Sequence, residues 1–230
     1  DIWGNLKMQE VDFMSVLHKS TSRDYLARVN DIDYPKHKAA DLAKKFDYDY
    51  WDGDRRICYG GYKYIPNRWS KVALRMIDHY QLPKKPRILD IGCGKGYLLY
   101  DFKQILPDAE ICGVDISKYA IENSKPEISQ YLSVGNSNNL KWEDDFFDLV
   151  ISINTLHCLE NYDLEKSLKE MERVGKNNKY LCVESYRNEV EKANLLYWQV
   201  TCEAFNTPKE WHWWFKSTGY SGDYSFIYFE

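Results

Sequence analysis

The chain has 230 residues, of which 44% are apolar and 29% charged, and its formal net charge is −4. This composition is typical of a soluble globular protein and excludes a disordered or fibrous chain. No run of about 18 apolar residues occurs, so the sequence predicts no membrane-spanning helix.

Charge is distributed unevenly along the chain. Residues 1–85 contain 16 Lys or Arg and 12 Asp or Glu, a balance of +4, whereas residues 86–230 contain 15 and 23, a balance of −8. An acidic chain lacks the basic face that long nucleic acids require, so we expect no nucleic-acid partner. The basic first third would favour a small anionic ligand, although a solvated surface is the simpler explanation.

The cysteines, the histidines and the first residues exclude further classes of protein. The six cysteines form no C-x-x-C pair and the five histidines have no metal-ligand spacing, so we predict neither a disulfide framework nor a metal site. No basic segment followed by an apolar stretch begins the sequence, so no signal peptide is predicted. The expectation is a cytoplasmic protein that does not bind a membrane.

The first third of the chain predicts helices and aromatic loops without a strand. Residues 36–46 follow a proline and residues 67–80 space their apolar side chains as a helix does. Residues 48–66, between these helices, combine tyrosines with glycines and charges, which favours a loop. Seven tyrosines lie between residues 25 and 64.

From residue 87 the pattern changes to an alternation of strands and helices. Strands are predicted at residues 88–91, 110–115, 131–134, 147–153, 180–183 and 223–230, and helices at 97–106, 117–123, 164–174 and 188–205. A capping box at residues 207–210 begins another helix. The alternation predicts an α/β fold with a mainly parallel sheet and helices on both faces. Ligands of such sheets bind beyond the carboxyl ends of the strands.

A turn with three glycines is the most specific feature of the sequence. Residues 87–97 read RILDIGCGKGY, so the glycines at 92, 94 and 96 lie between a strand and a helix. A dinucleotide-binding turn would need a small residue where Tyr97 stands, and a Walker P-loop would need Ser or Thr where Gly96 stands. Both phosphate-binding motifs are therefore excluded.

The remaining pattern, D-x-G-x-G-x-G from Asp90 to Gly96, resembles the first motif of the class I S-adenosylmethionine-dependent methyltransferases. The resemblance extends over roughly residues 70–230 and includes Asp115 after the second strand and Asp148 in an F-D-x-V segment. It implies a Rossmann-like, seven-stranded mixed sheet whose last strand is antiparallel, formed by residues 67–230. Members of the family often carry N-terminal helices as a lid, which here would be a helical and aromatic lid of residues 1–66 that caps the substrate.

The resemblance also implies S-adenosyl-L-methionine as the cofactor and a set of residues that hold it. The Asp115 carboxylate would accept hydrogen bonds from both ribose hydroxyls. Asn136, which stands where the family commonly has Asp, would accept from the adenine amino group. The complete predicted set is Asp90, Gly92, Gly94, Gly96, Asp115, Ile116, Asn136, Ser137 and Asn154.

Polar residues after the fourth and fifth strands are the catalytic candidates. His157 is a candidate general base or a structural histidine, and Glu184 is the second catalytic candidate. The predicted substrate-binding residues are Tyr59, Tyr62, Tyr64, Tyr186 and Arg187. Arg187 would clamp a phosphate or carboxylate, or simply pair with a neighbouring acid.

The leading functional hypothesis is methyl transfer to an oxygen of a small polar or anionic acceptor. The chain is also similar to bacterial methyltransferases of surface-polysaccharide and nucleotide-sugar pathways. The loop after strand four contains no N-P-P-Y or P-C motif, which disfavours transfer to a nucleobase. The alternatives are a lyase or cyclase that consumes S-adenosylmethionine and releases methylthioadenosine, and a binding protein without activity. The acceptor and the oligomeric state stay open.

Overall fold

In the computed structural model, residues 8–17 and 23–230 are described, and they form an α/β fold with helices on both faces of one sheet. The α-helices are α1 (Tyr25–Val29), α2 (Lys36–Ala43), α3 (Tyr48–Trp51), α4 (Ser70–His79), α5 (Tyr97–Ile105), α6 (Lys118–Glu122), α7 (Asn161–Val174), α8 (Glu189–Trp198) and α9 (Pro208–Thr218). The strands are β1 (Arg87–Ile91), β2 (Glu110–Asp115), β3 (Leu132–Val134), β4 (Phe147–Ile153), β5 (Gly175–Glu184) and β6 (Asp223–Ile227).

The sheet has six strands in the order β3-β2-β1-β4-β5-β6, and every pair is parallel. The predicted seven-stranded mixed sheet with an antiparallel last strand is therefore wrong. The register runs from Tyr180 opposite Asp223 to Glu184 opposite Ile227, so β6 has the direction of β5. The connection that contains α8 and α9 returns the chain to the end of the sheet at which β5 began, which is the crossover that a parallel neighbour requires.

The free edge of β6 is covered by the beginning of the described chain. The amide of Val11 donates to the carbonyl of Tyr224 (2.8 Å), and the amide of Tyr224 donates to the carbonyl of Gln9 (3.0 Å). Residues 9–11 thus run parallel to β6 and satisfy backbone groups that an edge strand would leave exposed.

Two apolar clusters form the core, one on each face of the sheet. Neighbouring residues of β1 point to opposite faces, so Ile88 belongs to the cluster under α4 and α5, and Leu89 to the cluster under α7 and α9. The predicted apolar face of α7 is confirmed, because Leu164, Leu168, Met171 and Val174 are all fully buried.

Several predicted helices are shorter in the structure, for identifiable backbone reasons. Helix α2 ends at Ala43, before Phe46 with a φ of 50°, and α4 begins only after Asn67, whose φ is 60°. Helix α8 ends at Trp198, because Gln199 has an extended ψ of 135°. The capping box is confirmed, since the Thr207 side chain accepts from the Glu210 amide.

The predicted lid is only partly described, because its residues 1–7 and 18–22 lie outside the described residues. Its aromatic loop contains the short helix α3. A third apolar cluster joins this extension to the rest of the chain, with Tyr50, Trp51 and Ile57 packed near Ala120 and Val200. The division into a lid and a catalytic domain stays a prediction.

Candidate functional site

A cavity of about 540 Å³ lies at the carboxyl ends of β1, β2 and β4, between the sheet and the N-terminal extension. Its volume is in the range of small-molecule sites. The sheet contributes residues 90–94, 114–116, 135–137 and 153–155 to its walls. Residues of the extension and of the segments around His157, Glu184 and Trp198 complete the lining.

The glycine turn brings the backbone against the cavity. Gly92, Gly94 and Gly96 have φ values of 77°, 54° and 77°, which side-chain-bearing residues rarely adopt. A Cβ on Gly92 would lie 2.0 Å from Thr155 Oγ1, and one on Gly94 would lie 2.7 Å from Trp51. A Cβ on Gly96 would instead meet Ile128 and Leu132, so this glycine serves packing beneath the turn.

Two buried carboxyl groups stand at the ends of β1 and β2. Asp115 is tied into the turn, because its Oδ2 accepts from the Gly94 amide and its Oδ1 from the Ser117 amide, both at 2.8 Å. Burial nevertheless raises the pKa of Asp115. Burial and the charge of Asp115 raise the pKa of Asp90 to about 7, and no side chain or amide of the described residues is recorded as a donor to the Asp90 carboxylate.

The predicted adenosine and methionine contacts line the same cavity. Ile116 leaves 58% of its surface exposed directly after β2. Ser137 Oγ lies 2.8 Å from Ser167 Oγ, and Asn136 Oδ1 accepts from the Asn138 amide at 3.2 Å. Asn154 has a positive φ of 55°, and its buried Oδ1 has no hydrogen-bond partner in the described structure.

The two catalytic candidates form a buried pair. His157 Nε2 lies 3.4 Å from Glu184 Oε2, and His157 Nδ1 accepts from the Glu184 amide at 3.3 Å. Burial lowers the pKa of His157 to about 3 and raises the pKa of Glu184 to about 8, so both are neutral at pH 7. Gln199 donates to Glu184 Oε1, whereas Oε2 accepts no hydrogen bond within the described residues.

The extension contributes an aromatic wall to the lining of the cavity. The rings of Trp51 and Tyr59 stack at 5.5 Å with an angle of 10°, and Tyr62 lies 5.2 Å from Trp51. Trp51 Nε1 donates to Ser117 Oγ at 2.9 Å, which fixes the indole above Gly94. Trp51 was not among the predicted site residues, although it lies within the predicted aromatic loop.

A polar latch holds this wall against the glycine turn. Lys95 Nζ lies 2.6 Å from Asp52 Oδ2 and donates to the Tyr62 carbonyl at 2.9 Å. The Tyr119 hydroxyl donates to the same Asp52 oxygen at 2.8 Å. These hydrogen bonds lower the pKa of Asp52, although its partial burial acts in the opposite direction.

Three predicted substrate residues lie outside the cavity. The Tyr64 hydroxyl donates to Asp101 Oδ1 at 2.6 Å in a separate, shallower groove. Tyr186 is buried in an apolar cluster with Leu195 and Phe229. Arg187 pairs with Glu191 and with Glu230, the neighbouring-acid arrangement that the sequence left open.

The cavity also contains residues that sequence reasoning missed, chiefly Arg23, Arg28, Arg55, Trp198 and Gln199. The excess of basic residues in the first third was the one signal that pointed towards the arginines. Nothing in the sequence indicated that the end of α8 would face the same cavity.

Comparison with known proteins agrees with this architecture. Residues 82–219 match the family model described as "Methyltransferase domain", which is more than half of the chain. A tRNA (carboxymethyluridine(34)-5-O)-methyltransferase of Arabidopsis thaliana is 32% identical over 130 residues, covering 56% of this chain and 30% of that protein. A demethylmenaquinone methyltransferase of Symbiobacterium thermophilum is 27% identical over 145 residues, covering 58% of this chain and 57% of that protein. The chain thus spans less than two thirds of the length of either relative.

Among solved structures, the YcgJ protein of Bacillus subtilis superposes with a TM-score of 0.51 at 21% identity, over 64% of this chain and 66% of that one. This likeness concerns the fold. The alternating α/β sheet, the glycine turn and the family match together define a class I methyltransferase. The chain belongs to this methyltransferase family, and S-adenosylmethionine is the cofactor that membership implies.

The residues of the cavity fit this cofactor. The glycine turn leaves room that a Cβ would fill, Ile116 offers an exposed apolar face, and Asn154 Oδ1 lacks a partner among the described residues. No group of three or more His, Cys, Asp or Glu within residues 8–17 and 23–230 is arranged to hold a metal ion. No helix in the described ranges is both long and apolar enough to cross a membrane.

Proposed function

We propose that this chain transfers the methyl group of S-adenosylmethionine to an oxygen of a small polar or anionic acceptor. One observation carries the proposal: a single cavity of about 540 Å³ is lined both by the glycine turn with Asp115 and by the buried Glu184 carboxyl. A cofactor end and an acceptor end thus share one cavity.

At the cofactor end, Asp90, Asp115, Ile116 and Asn154 would bind and orient the cofactor. When bound, the cofactor supplies a methyl group that is already activated by a sulfonium. The principal task of the chain is therefore orientation, which can lower a barrier by about 7–11 kcal/mol.

At the acceptor end, we assign Glu184 as the proton acceptor and His157 as the residue that positions it. The Nδ1 lone pair of His157 is directed at the Glu184 amide, so its Nε2 carries the proton and faces the carboxyl group. Glu184 Oε2 lies 3.4 Å from His157 Nε2 but accepts no hydrogen bond within the described residues, so it is the oxygen that we assign to accept a proton from an acceptor hydroxyl. A pKa of about 8 brings this group near neutral pH, where a general base is effective.

The aromatic wall of Trp51, Tyr59 and Tyr62 would act as the lid of this site. Aromatic faces attract a sulfonium by about 0.5–2 kcal/mol each and exclude water from the reacting groups. The latch between Asp52 and Lys95 ties the lid directly to the turn that holds the cofactor.

Two features support a small acceptor over a nucleic acid. The net charge is −4, and the cavity is lined by the aromatic wall of the extension. The name of the Arabidopsis relative specifies a tRNA substrate, but this chain covers only 30% of that protein. Nucleotide-sugar and surface-polysaccharide precursors are one class of small anionic acceptor.

The test is to incubate the protein with S-adenosylmethionine and a pool of small hydroxylated and phosphorylated metabolites, and to identify the nucleoside product. We expect S-adenosylhomocysteine, formed only when acceptors are present. Methylthioadenosine formed without acceptors would instead establish the lyase or cyclase alternative.

The same assay tests the assignment of Glu184. Glu184→Gln should lower kcat by roughly 10²- to 10⁴-fold while S-adenosylhomocysteine affinity is unchanged. Glu189→Gln, in the exposed first turn of α8, is the matched control and should retain the full rate. Since only ionised Glu184 accepts a proton, the wild-type rate should rise towards pH 8. A full rate in Glu184→Gln would remove the residue from the mechanism.

A further inference from the structure

Three arginines of the N-terminal extension surround one indole at the acceptor end of the cavity. The guanidinium carbons of Arg23, Arg28 and Arg55 lie 5.6, 5.6 and 5.9 Å from the centre of the Trp198 ring. All four residues line the cavity. We call Arg23, Arg28 and Arg55 the arginine cluster.

Arg28 and Arg55 lack an ion-pair partner in the described part of the chain, although Asp31 acts on Arg28 from a longer distance. Within the described residues, no carboxylate forms an ion pair with either side chain, whereas Arg56 and Arg173 each pair with at least two acids. Like charges gathered around one ring repel each other, and such an arrangement is stabilised when an anion binds among them. Arg28 and Arg55 therefore present two positive charges to the cavity.

Backbone carbonyls hold these guanidinium groups in place. Arg28 Nη2 donates to the Ile57 carbonyl at 2.7 Å and its Nη1 donates to the Arg56 carbonyl. Arg55 donates to the Cys58 carbonyl. The Nε of Arg28 is buried without a hydrogen-bond partner among the described residues, so its donor capacity is unused. These neutral carbonyls orient the guanidinium groups of Arg28 and Arg55 without cancelling their positive charge.

The arginine cluster and Glu184 lie near the same part of the cavity. The three guanidinium groups surround the ring of Trp198, and the next residue, Gln199, donates a hydrogen bond to Glu184 Oε1. The arginines, Gln199 and Glu184 all line the cavity. A ligand held by the arginines would therefore extend towards the carboxyl group of Glu184.

We propose that the arginine cluster binds a dianionic phosphate group of the methyl acceptor and so presents an acceptor hydroxyl to Glu184. This inference rests on the proposed function and specifies its substrate class. Arg28 and Arg55 together match the charge of a phosphate monoester, and guanidinium forks fit the geometry of its oxygens.

The test titrates inorganic phosphate into protein saturated with S-adenosylhomocysteine, by calorimetry at a pH where phosphate is a dianion. Acetate serves as the monoanionic comparison. We expect phosphate to bind and acetate to bind far more weakly. Arg55→Gln and Arg28→Gln should each weaken phosphate binding by roughly tenfold to hundredfold.

Arg56→Gln is the matched control, because Arg56 neighbours Arg55 but pairs with acids and does not line the cavity. It should bind phosphate as the wild type does. Arg55 is exposed, so its variant keeps the test valid if Arg28→Gln fails to fold. Equal phosphate affinity in wild type and Arg55→Gln would overturn the proposal, and so would acetate binding as tightly as phosphate.

Calorimetry with S-adenosylhomocysteine alone separates this inference from the proposed function. A protein that binds the nucleoside but not phosphate would refute the phosphate site and leave methyl transfer in place. A protein that does not bind the nucleoside would refute the proposed function itself.

Discussion

At the scale of single residues, Asp90 combines a buried carboxyl group with a pKa of about 7. This pKa lies above the unfolded value of about 3.9, so the folded state binds the proton more tightly. Linkage then requires that the folded protein lose stability as the pH rises from about 4 through 7. A cationic ligand near this carboxylate would favour its ionised form and relieve the penalty.

Asp90→Asn should therefore stabilise the ligand-free protein at pH 8 more than at pH 5. The gain at pH 8 should exceed the gain at pH 5 by about 3 kcal/mol, since about two pH units separate pH 5 from the pKa of Asp90 and each unit corresponds to roughly 1.4 kcal/mol. Thermal unfolding of both proteins at the two pH values measures it. Glu184 titrates in both proteins, so its contribution cancels in the comparison. If the stability difference between the two proteins were the same at pH 5 and pH 8, the pKa assigned to Asp90 would be contradicted.

Ile116 provides a second test at the residue scale. Ile116→Asp should weaken S-adenosylhomocysteine binding about tenfold or more, because the apolar face proposed to contact the nucleoside would be lost. Val134→Asp is the control, since Val134 is 54% exposed at the end of the neighbouring strand and does not line the cavity. If both variants bound the nucleoside equally well, Ile116 would not contact it.

At the scale of elements, the latch between Asp52 and Lys95 joins α3 to the glycine turn. Asp52→Asn leaves the buried Lys95 ammonium without its counter-charge, which should destabilise the docked extension by about 1–3 kcal/mol. Hydrogen exchange should accelerate in residues 48–64 and stay unchanged in β1 and β4. Asp54→Asn removes an acid that pairs with Arg56 instead, and it should leave these rates unaltered. Unchanged exchange in Asp52→Asn would mean that aromatic packing alone holds the extension.

Some elements could be predicted from the sequence and others could not. The physical reason is whether the interactions that determine an element join residues close together or far apart in the chain. The turn from Asp90 to Gly96 and the cap at Thr207 are set by residues a few positions apart, so local pattern is sufficient. The direction of β6 depends on whether the long connection after β5 crosses back to the end of the sheet where β5 began, and the resemblance to the family predicted the wrong direction. The helix before β6 was itself predicted, and the crossover it forms was the clue to a parallel strand.

The candidate site shows the same limit. The sequence could assign Asp115 and Gly94 to one site, because Asp115 ends a recognisable strand and Gly94 follows another. The arginine cluster joins Arg28 and Arg55 to Trp198, more than 140 positions away, and the indole of Trp51 reaches Gly94 across 43 positions. Contacts of this kind depend on the way the extension lies across the sheet, which no local pattern encodes.

At the scale of the whole molecule, the extension is fastened near both edges of the sheet. Residues 9–11 pair with β6 at one edge, and Trp51 and Asp52 are bonded to Ser117 and Tyr119 near the other, where α6 follows β2. The extension is therefore tethered at two places. The closure that we propose for it is an intramolecular event, favoured by the high local concentration of the two contacting surfaces. Dilution of the protein does not weaken an intramolecular contact. A substrate must therefore compete with the extension for access to the cavity at every protein concentration.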